Sequence, residues 1–309
     1  MLGTVFAGHR IEAVIGRGGM GVVYRARHCR LGRIAAVKVM APELHEDAAA
    51  RQRFLEEAAV AAAIEHPNIV PVHDAGDAGG VAYLAMRYVH GADLSVTARG
   101  CVPLTVRHAA AIVADLGDAL DALHDAGYVH RDVKPRNVLI GRDGHVFLGD
   151  FGLAHRVAGE AGTASRRAGT ADYAAPEQIR GERADARADV YGLGCLLFFA
   201  LTRRAPFVRD TAQASLQAHL LEPPPAASTL RPGVPPAVDA VIARALAKSP
   251  GDRFPTAGEL GRAALAAAGG TERERIPVAV ARPPLGAARA EASTATARPG
   301  PMTGVLAVT

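Results

Sequence analysis

Gly16-Arg17-Gly18-Gly19-Met20-Gly21-Val22-Val23 spaces three glycines as G-x-G-x-x-G ahead of a valine pair. Glycine lets a backbone turn tightly and approach a phosphate with no Cβ in the way. A second apolar strand pattern follows the loop where a dinucleotide fingerprint would need a helix, and the G-K-[ST] ending of a Walker loop is missing. About fifteen residues on comes Ala35-Ala36-Val37-Lys38. Only three of the 35 basic residues are lysines, so arginine serves wherever a generic positive charge suffices. A lysine inside an apolar strand needs a partner, because an isolated buried ammonium is expensive. Glu56 and Glu57 are both candidates. Glu57 lies three after Phe54, four before Ala61 and seven before Ile64, on the inward stripe of the next helix, and is the expected partner over Glu56.

His130-Arg131-Asp132-Val133-Lys134-Pro135-Arg136-Asn137 sets a dense polar run between the apolar pairs Tyr128-Val129 and Val138-Leu139. Thirteen residues after Asn137 stands Asp150, opening Asp150-Phe151-Gly152. Alone, each is an ordinary loop or hairpin feature. Together, in this order and spacing behind the glycine loop and Lys38, they form a specific series.

The elements that must position these residues can be read from period. Alternation predicts strands in IEAVIG, GVVYRARH and RIAAVKVM, then in IVPVHDAG and VAYLAMRYV, with a helix over 47–65. From about residue 94 helical patterns dominate, broken near 128–153 by short strands. A small sheet-based lobe followed by a larger helical one is expected. Past Ala268 the chain turns to Pro, Ala, Thr and Arg with no period, which reads as a flexible tail over 269–309.

With these motifs in this order, the sequence resembles the eukaryotic-like (Hanks-type) protein kinases, and within them the actinobacterial serine/threonine kinases. The resemblance covers about residues 8–268. It implies an α+β, two-lobed kinase fold, with a small lobe over about 8–89 and a large lobe over about 90–268. It implies transfer of the γ-phosphate of ATP to Ser/Thr hydroxyls of proteins. Lys38, fixed by Glu57, would hold the α/β-phosphates, and Lys134 would reach the γ-phosphate. Asn137 and Asp150 would bind Mg2+, or Mn2+ in its place. Asp132 would orient the substrate hydroxyl and accept its proton, and Thr170 would bridge Asp132 and Lys134. ATP would lie against Ile15, Gly16, Arg17, Gly18, Gly19, Met20 and Gly21. Val23, Ala36 and Leu139 would wall its adenine, with Met86, Tyr88 and Val89 at the hinge and Asp93 at the ribose. At position 87 the family usually has an acidic residue and this chain has Arg87. Glu177 with Arg253, and Asp189 beneath the catalytic loop, would be structural. Thr163 and Ser165, beside Arg166 and Arg167, would be autophosphorylation sites read by Arg131.

Composition agrees with such a domain. The chain has 309 residues, 49% hydrophobic and 21% charged, enough for a buried core. Its net charge of +4, spread along the chain, forms no nucleic-acid stripe. Three scattered cysteines, Cys29, Cys101 and Cys195, make no disulfide framework and suggest a reducing, cytoplasmic setting. The longest apolar run, Val190 to Thr202, is shorter than the roughly 20 residues of a membrane span and reads as a core helix. Protein substrates, and a homodimer through the small lobe, are the partners the resemblance implies.

Overall fold

The computed structural model describes residues 1–100, 104–150 and 171–276, with the backbone of 155–156. The first part holds β1 (Val5–Phe6), β2 (His9–Arg17), β3 (Gly21–His28), β4 (Ile34–Met40), α1 (Ala48–Ala63), β5 (Val72–Ala78) and β6 (Val81–Arg87). Its strands form one antiparallel sheet in the order β1-β2-β3-β4-β6-β5. Side chains alternate across a strand, so Val37 and Val39 enter the cluster around Ile11 and Tyr83. Met40, on the opposite face, joins Phe54, Ala58 and Leu84 beneath α1. Lys38 shares that second face, and its Nζ lies 5.8 Å from the Phe54 ring centroid. The Asp47 carboxylate caps α1, accepting from the Ala50 N–H at 2.9 Å.

The larger lobe follows with β7 (Gly91–Asp93), α2 (Leu94–Thr97), α3 (Val106–Asp125), β8 (Tyr128–Val129), β9 (Val138–Gly141), β10 (Val146–Leu148) and β11 (His155–Arg156). It closes with α4 (Pro176–Arg180), α5 (Ala186–Thr202), α6 (Ala212–Leu221), α7 (Ala227–Leu230), α8 (Pro236–Ala245) and α9 (Ala257–Ala267). This is the expected α+β arrangement of a strand-rich lobe with one long helix and a mostly helical lobe. The apolar run Val190–Leu201 is buried throughout, inside α5 at the centre of the large core. Among the described residues no helix is long and apolar enough to cross a membrane. Helices α3 and α9 approach closely because Gly117 faces the α9 backbone: a Cβ there would sit 2.6 Å from the Ala257 carbonyl oxygen. Asp121 of α3 then caps α9, accepting from the Ala257 and Gly258 N–H groups at 2.9 and 3.0 Å.

The chain does not leave the core at Ala268, where its composition changes. Arg273 pairs with Asp115 and Asp118 on α3, and Glu274 with Arg107. Ile276 is 3% exposed within the large core. The packed unit thus reaches at least Ile276, eight residues past the expected end of the domain at Ala268. One buried isoleucine behind the charged run Glu272–Arg275 carries no periodic signal, so the sequence pattern passes over it. Residues 277–309 lie outside the described part. Cys29 is exposed and Cys195 buried, both as free thiols; Cys101 lies outside the described residues.

Candidate active site

The catalytic loop is built on a buried carboxylate. Asp189, in the first turn of α5, is 1% exposed. It accepts from the His130 N–H at 2.8 Å, the Arg131 N–H at 2.7 Å and His124 Nε2 at 2.7 Å. Burial alone would raise its pKa, but these hydrogen bonds hold it below the usual carboxylate value. The two backbone bonds support Arg131 at φ +64°, a left-handed conformation unusual for a non-glycine residue. From that bend Asp132 turns inward and is 9% exposed. Lys134 Nζ donates to Asp132 Oδ2 at 2.7 Å, and Asn137 Nδ2 donates to the Asp132 carbonyl and Oδ2 at 2.8 and 3.1 Å. Burial raises the Asp132 pKa, and the Lys134 ammonium partly opposes the rise.

The β9–β10 hairpin brings Asn137 to Asp150. Val138 pairs with Leu148, and the Gly149 N–H donates to the Asn137 carbonyl at 2.9 Å. His130 fastens the same point: its Nδ1 accepts from the Asp132 N–H at 3.3 Å, so Nε2 carries the proton facing the Gly149 carbonyl at 3.4 Å. Asp150, at φ +59°, then reaches across the lobes to Lys38, whose Nζ donates to its Oδ1 at 2.9 Å. Lys38 lies largely buried while the Asp150 side chain is half-exposed. Desolvation pushes the Asp150 carboxyl up, but the Lys38 charge outweighs it and holds the pKa at about 2. The site therefore joins Lys38, Asp132, Lys134, Asn137 and Asp150 from β4, the catalytic loop and the end of β10.

The expected nucleotide residues lie on the small lobe, on the connection after it and on β7 and β9 of the large lobe. Val23 is paired with Lys38 across β3–β4, Ala36 with Met86 across β4–β6, and Leu139 with Asp93 across β7–β9. Tyr88 and Val89 form the connection between the lobes, and Arg87 is exposed with its guanidinium over the Phe147 ring. In the glycine loop, Gly18 and Gly21 exchange backbone hydrogen bonds that turn β2 into β3. A Cβ on Gly21 would meet the Val39 carbonyl oxygen at 2.2 Å, so packing demands that glycine. Gly16 and Gly18 have ordinary room for a Cβ, so packing does not explain them. Ile15, Arg17 and Gly19 are exposed and Met20 partly so, at the mouth of the loop. Asp93, expected at a ribose, caps α2, accepting from the Val96 N–H at 3.1 Å and from the Ser95 hydroxyl. Glu56 is exposed and accepts from Gln52 at 2.9 Å. The Glu57 side chain, Phe151, Gly152, Thr163, Ser165 and Thr170 lie outside the described residues.

Two supports behind the site join residues far apart in sequence. Arg253 donates to Glu177 Oε1 and Oε2 at 2.6 and 2.7 Å, with both side chains buried. Gln178 links Ala175 to the catalytic loop: its Oε1 accepts from the Ala175 N–H at 2.9 Å and its Nε2 donates to the Arg131 carbonyl at 3.0 Å. His124, Gln178 and the bridging role of His130 were not among the residues expected from sequence. Their partners are remote in the chain or are backbone atoms, and neither leaves a spacing signal.

A family model described as the protein kinase domain matches residues 9–261. The chain belongs to the protein kinase family. The kinase is 46% identical over 273 residues to the serine/threonine-protein kinase PknJ of Mycobacterium tuberculosis, covering 86% of this chain and 46% of PknJ. It is 42% identical to PknE of the same organism over 274 residues, covering 88% of this chain and 48% of PknE. The kinase thus spans about half the length of the curated relatives it matches. Among solved structures, the Mycobacterium tuberculosis PknI kinase domain superposes with a TM-score of 0.68 at 33% identity, covering 86% of this chain and 99% of that one.

Proposed function

We propose that this kinase domain transfers the γ-phosphate of ATP to serine or threonine hydroxyls of proteins. The observation that carries the reading is the convergence of Lys38 and Asp150 from two lobes on the Asp132–Lys134–Asn137 cluster. Phosphoryl transfer asks a protein mainly for positioning and charge neutralisation. Lys38 suits the α/β-phosphates, and Lys134 the γ-phosphate. The buried Asp132 carboxylate, with its raised pKa, suits the aiming of a hydroxyl and acceptance of its proton.

The donor set fits a hard divalent cation such as Mg2+, with Mn2+ as a substitute. Asn137 spends its amide nitrogen on Asp132, which leaves the amide oxygen to a ligand, and Asp150 contributes carboxylate oxygens. Asn137 and Asp150 would hold the cation, which would supply neutralisation of phosphate charge. Gly16 and Gly18, whose packing does not demand glycine, suit close approach of a triphosphate. Ile15, Val23, Ala36, Met86 and Leu139 suit the adenine, with backbone hydrogen bonds from Tyr88 and Val89. Activation-segment autophosphorylation at Thr163 or Ser165 remains part of the proposal. Its support is Arg131, whose buried Nε has no hydrogen-bond partner among the described residues and whose guanidinium lies in the fields of the Asp189 carboxylate and the Arg183 charge.

The test is transfer from γ-labelled ATP with Mg2+ to a generic basic protein. Wild type should label the acceptor, Lys38→Met should not, and Asp132→Asn should be slower by about 10²–10⁴-fold, the usual worth of a general base. Equal rates in wild type and Asp132→Asn would overturn the reading.

A further inference from the structure

Beside the catalytic loop lies a recess lined by Arg99, Asp172, Tyr173, Phe199, Arg203 and Arg204, among others. A chain of contacts links it to the loop that carries Asp132. Tyr173 is two residues before Ala175, which Gln178 ties to the Arg131 carbonyl, and Arg131 adjoins Asp132. The Tyr173 ring packs edge-on against Phe199 of α5, centroids 6.5 Å apart, which fixes this segment to the end of the buried helix. Arg231 ties the same helix end to the approach to α3, donating to the Leu201 and Leu104 carbonyls at 3.1 and 2.7 Å.

The recess carries an excess of positive charge. Arg99, Arg203 and Arg204 are exposed, and among the described residues none of the three makes an ion pair. Elsewhere on the surface arginines do find carboxylates, as Arg209 does with Glu222 and Arg51 with Asp77. Asp172 is the one carboxylate among the lining residues, against three arginines. Arg203 ends α5 at φ +63°, a position where glycine is the unstrained residue. Holding an arginine there aims a guanidinium at some conformational cost.

We infer that this recess receives a carboxylate side chain of the polypeptide being phosphorylated, a few residues from the acceptor hydroxyl. Arg99, Arg203 and Arg204 act as specificity-determining residues that favour an acidic sequence. Guanidinium–carboxylate hydrogen bonds are charge-assisted and among the stronger polar contacts. The inference rests on the protein-kinase reading above and adds a substrate class to it.

The experiment uses labelled peptides in which one glutamate, glutamine or lysine is moved through the positions flanking a central serine. Binding is read by fluorescence anisotropy on versions with alanine in place of the serine, and transfer is read on the serine versions. Glutamate at one position should bind about tenfold more tightly than glutamine, and the gain should shrink in high salt. The same preference should appear in KM. In Arg203→Gly/Arg204→Ala, where glycine also relieves the left-handed backbone, the glutamate-to-glutamine ratio should fall to about one. Arg204→Glu should turn the preference toward lysine. Absence of any glutamate preference, or its persistence in the double variant, overturns the inference. So does a double variant altered only in autophosphorylation, because the recess would then serve the chain's own phosphorylated segment. Glutamate-selective binding without transfer would leave the recess standing and remove the kinase reading; transfer without selectivity would do the reverse.

Discussion

Asp132 and Asp150 sit in one cleft, yet their surroundings push their carboxyl groups in opposite directions. Both lose hydration. Asp132 gains only partial compensation from Lys134 and its pKa is raised, whereas Asp150 meets Lys38 at 2.9 Å and is held at about 2. A depressed carboxylate adds stability above its unfolded value near 3.8 and loses it as the pH falls toward 2. A raised one works the other way, favouring the fold as the pH falls. Carbon-13 NMR titration of the nucleotide-free protein should place Asp132 above the ordinary aspartate range and Asp150 below it. In Lys38→Met the Asp150 carboxyl should rise from about 2, because desolvation stays and its nearest counter-charge is gone. An unmoved titration would mean that Lys38 does not set that pKa.

Between elements, the fold is tied by contacts whose loss has a calculable direction. Glu177 and Arg253 are both buried, so Glu177→Ala strands a guanidinium without a counter-charge. Breaking such a pair costs about 3–5 kcal/mol, and urea unfolding should show that loss as a lower midpoint. Where α3 meets the β9–β10 turn, the last described segment plugs the large core with Ile276. Removing most of such a buried side chain costs about 2–5 kcal/mol, so Ile276→Ala should be destabilised to that extent by the same measurement. If Ile276→Ala melts as wild type does, the segment after α9 is a passenger and the packed unit ends near Ala268.

Across the whole molecule, one ligand should tighten what the two lobes only begin. A nucleotide contacting both Lys38 and the β9–β10 residues binds the folded state alone. At a hundred times its dissociation constant it adds about 2.7 kcal/mol. The melting temperature should rise with Mg2+ and a non-hydrolysable ATP analogue, rise less when Mg2+ is chelated, and stay flat in Lys38→Met; a full shift in Lys38→Met would place the nucleotide elsewhere. The main strands of the small lobe, the helix under their sheet and the central buried helix were legible because each follows a local hydrophobic period. Asp132, Asn137 and Asp150 were legible as a series because only a short loop and one hairpin separate them, and Lys38 because it is a lysine inside an apolar strand. The amino-acid order alone therefore determined which elements form and which side chains are proposed for the chemistry. Tertiary structure alone decided that Lys38 bonds Asp150, that Asp189 gathers His124 with two backbone N–H groups, that Asp93 caps a helix, and that three arginines share a recess. Those facts depend on which distant surfaces meet when the core closes, and a linear spacing holds no record of that meeting.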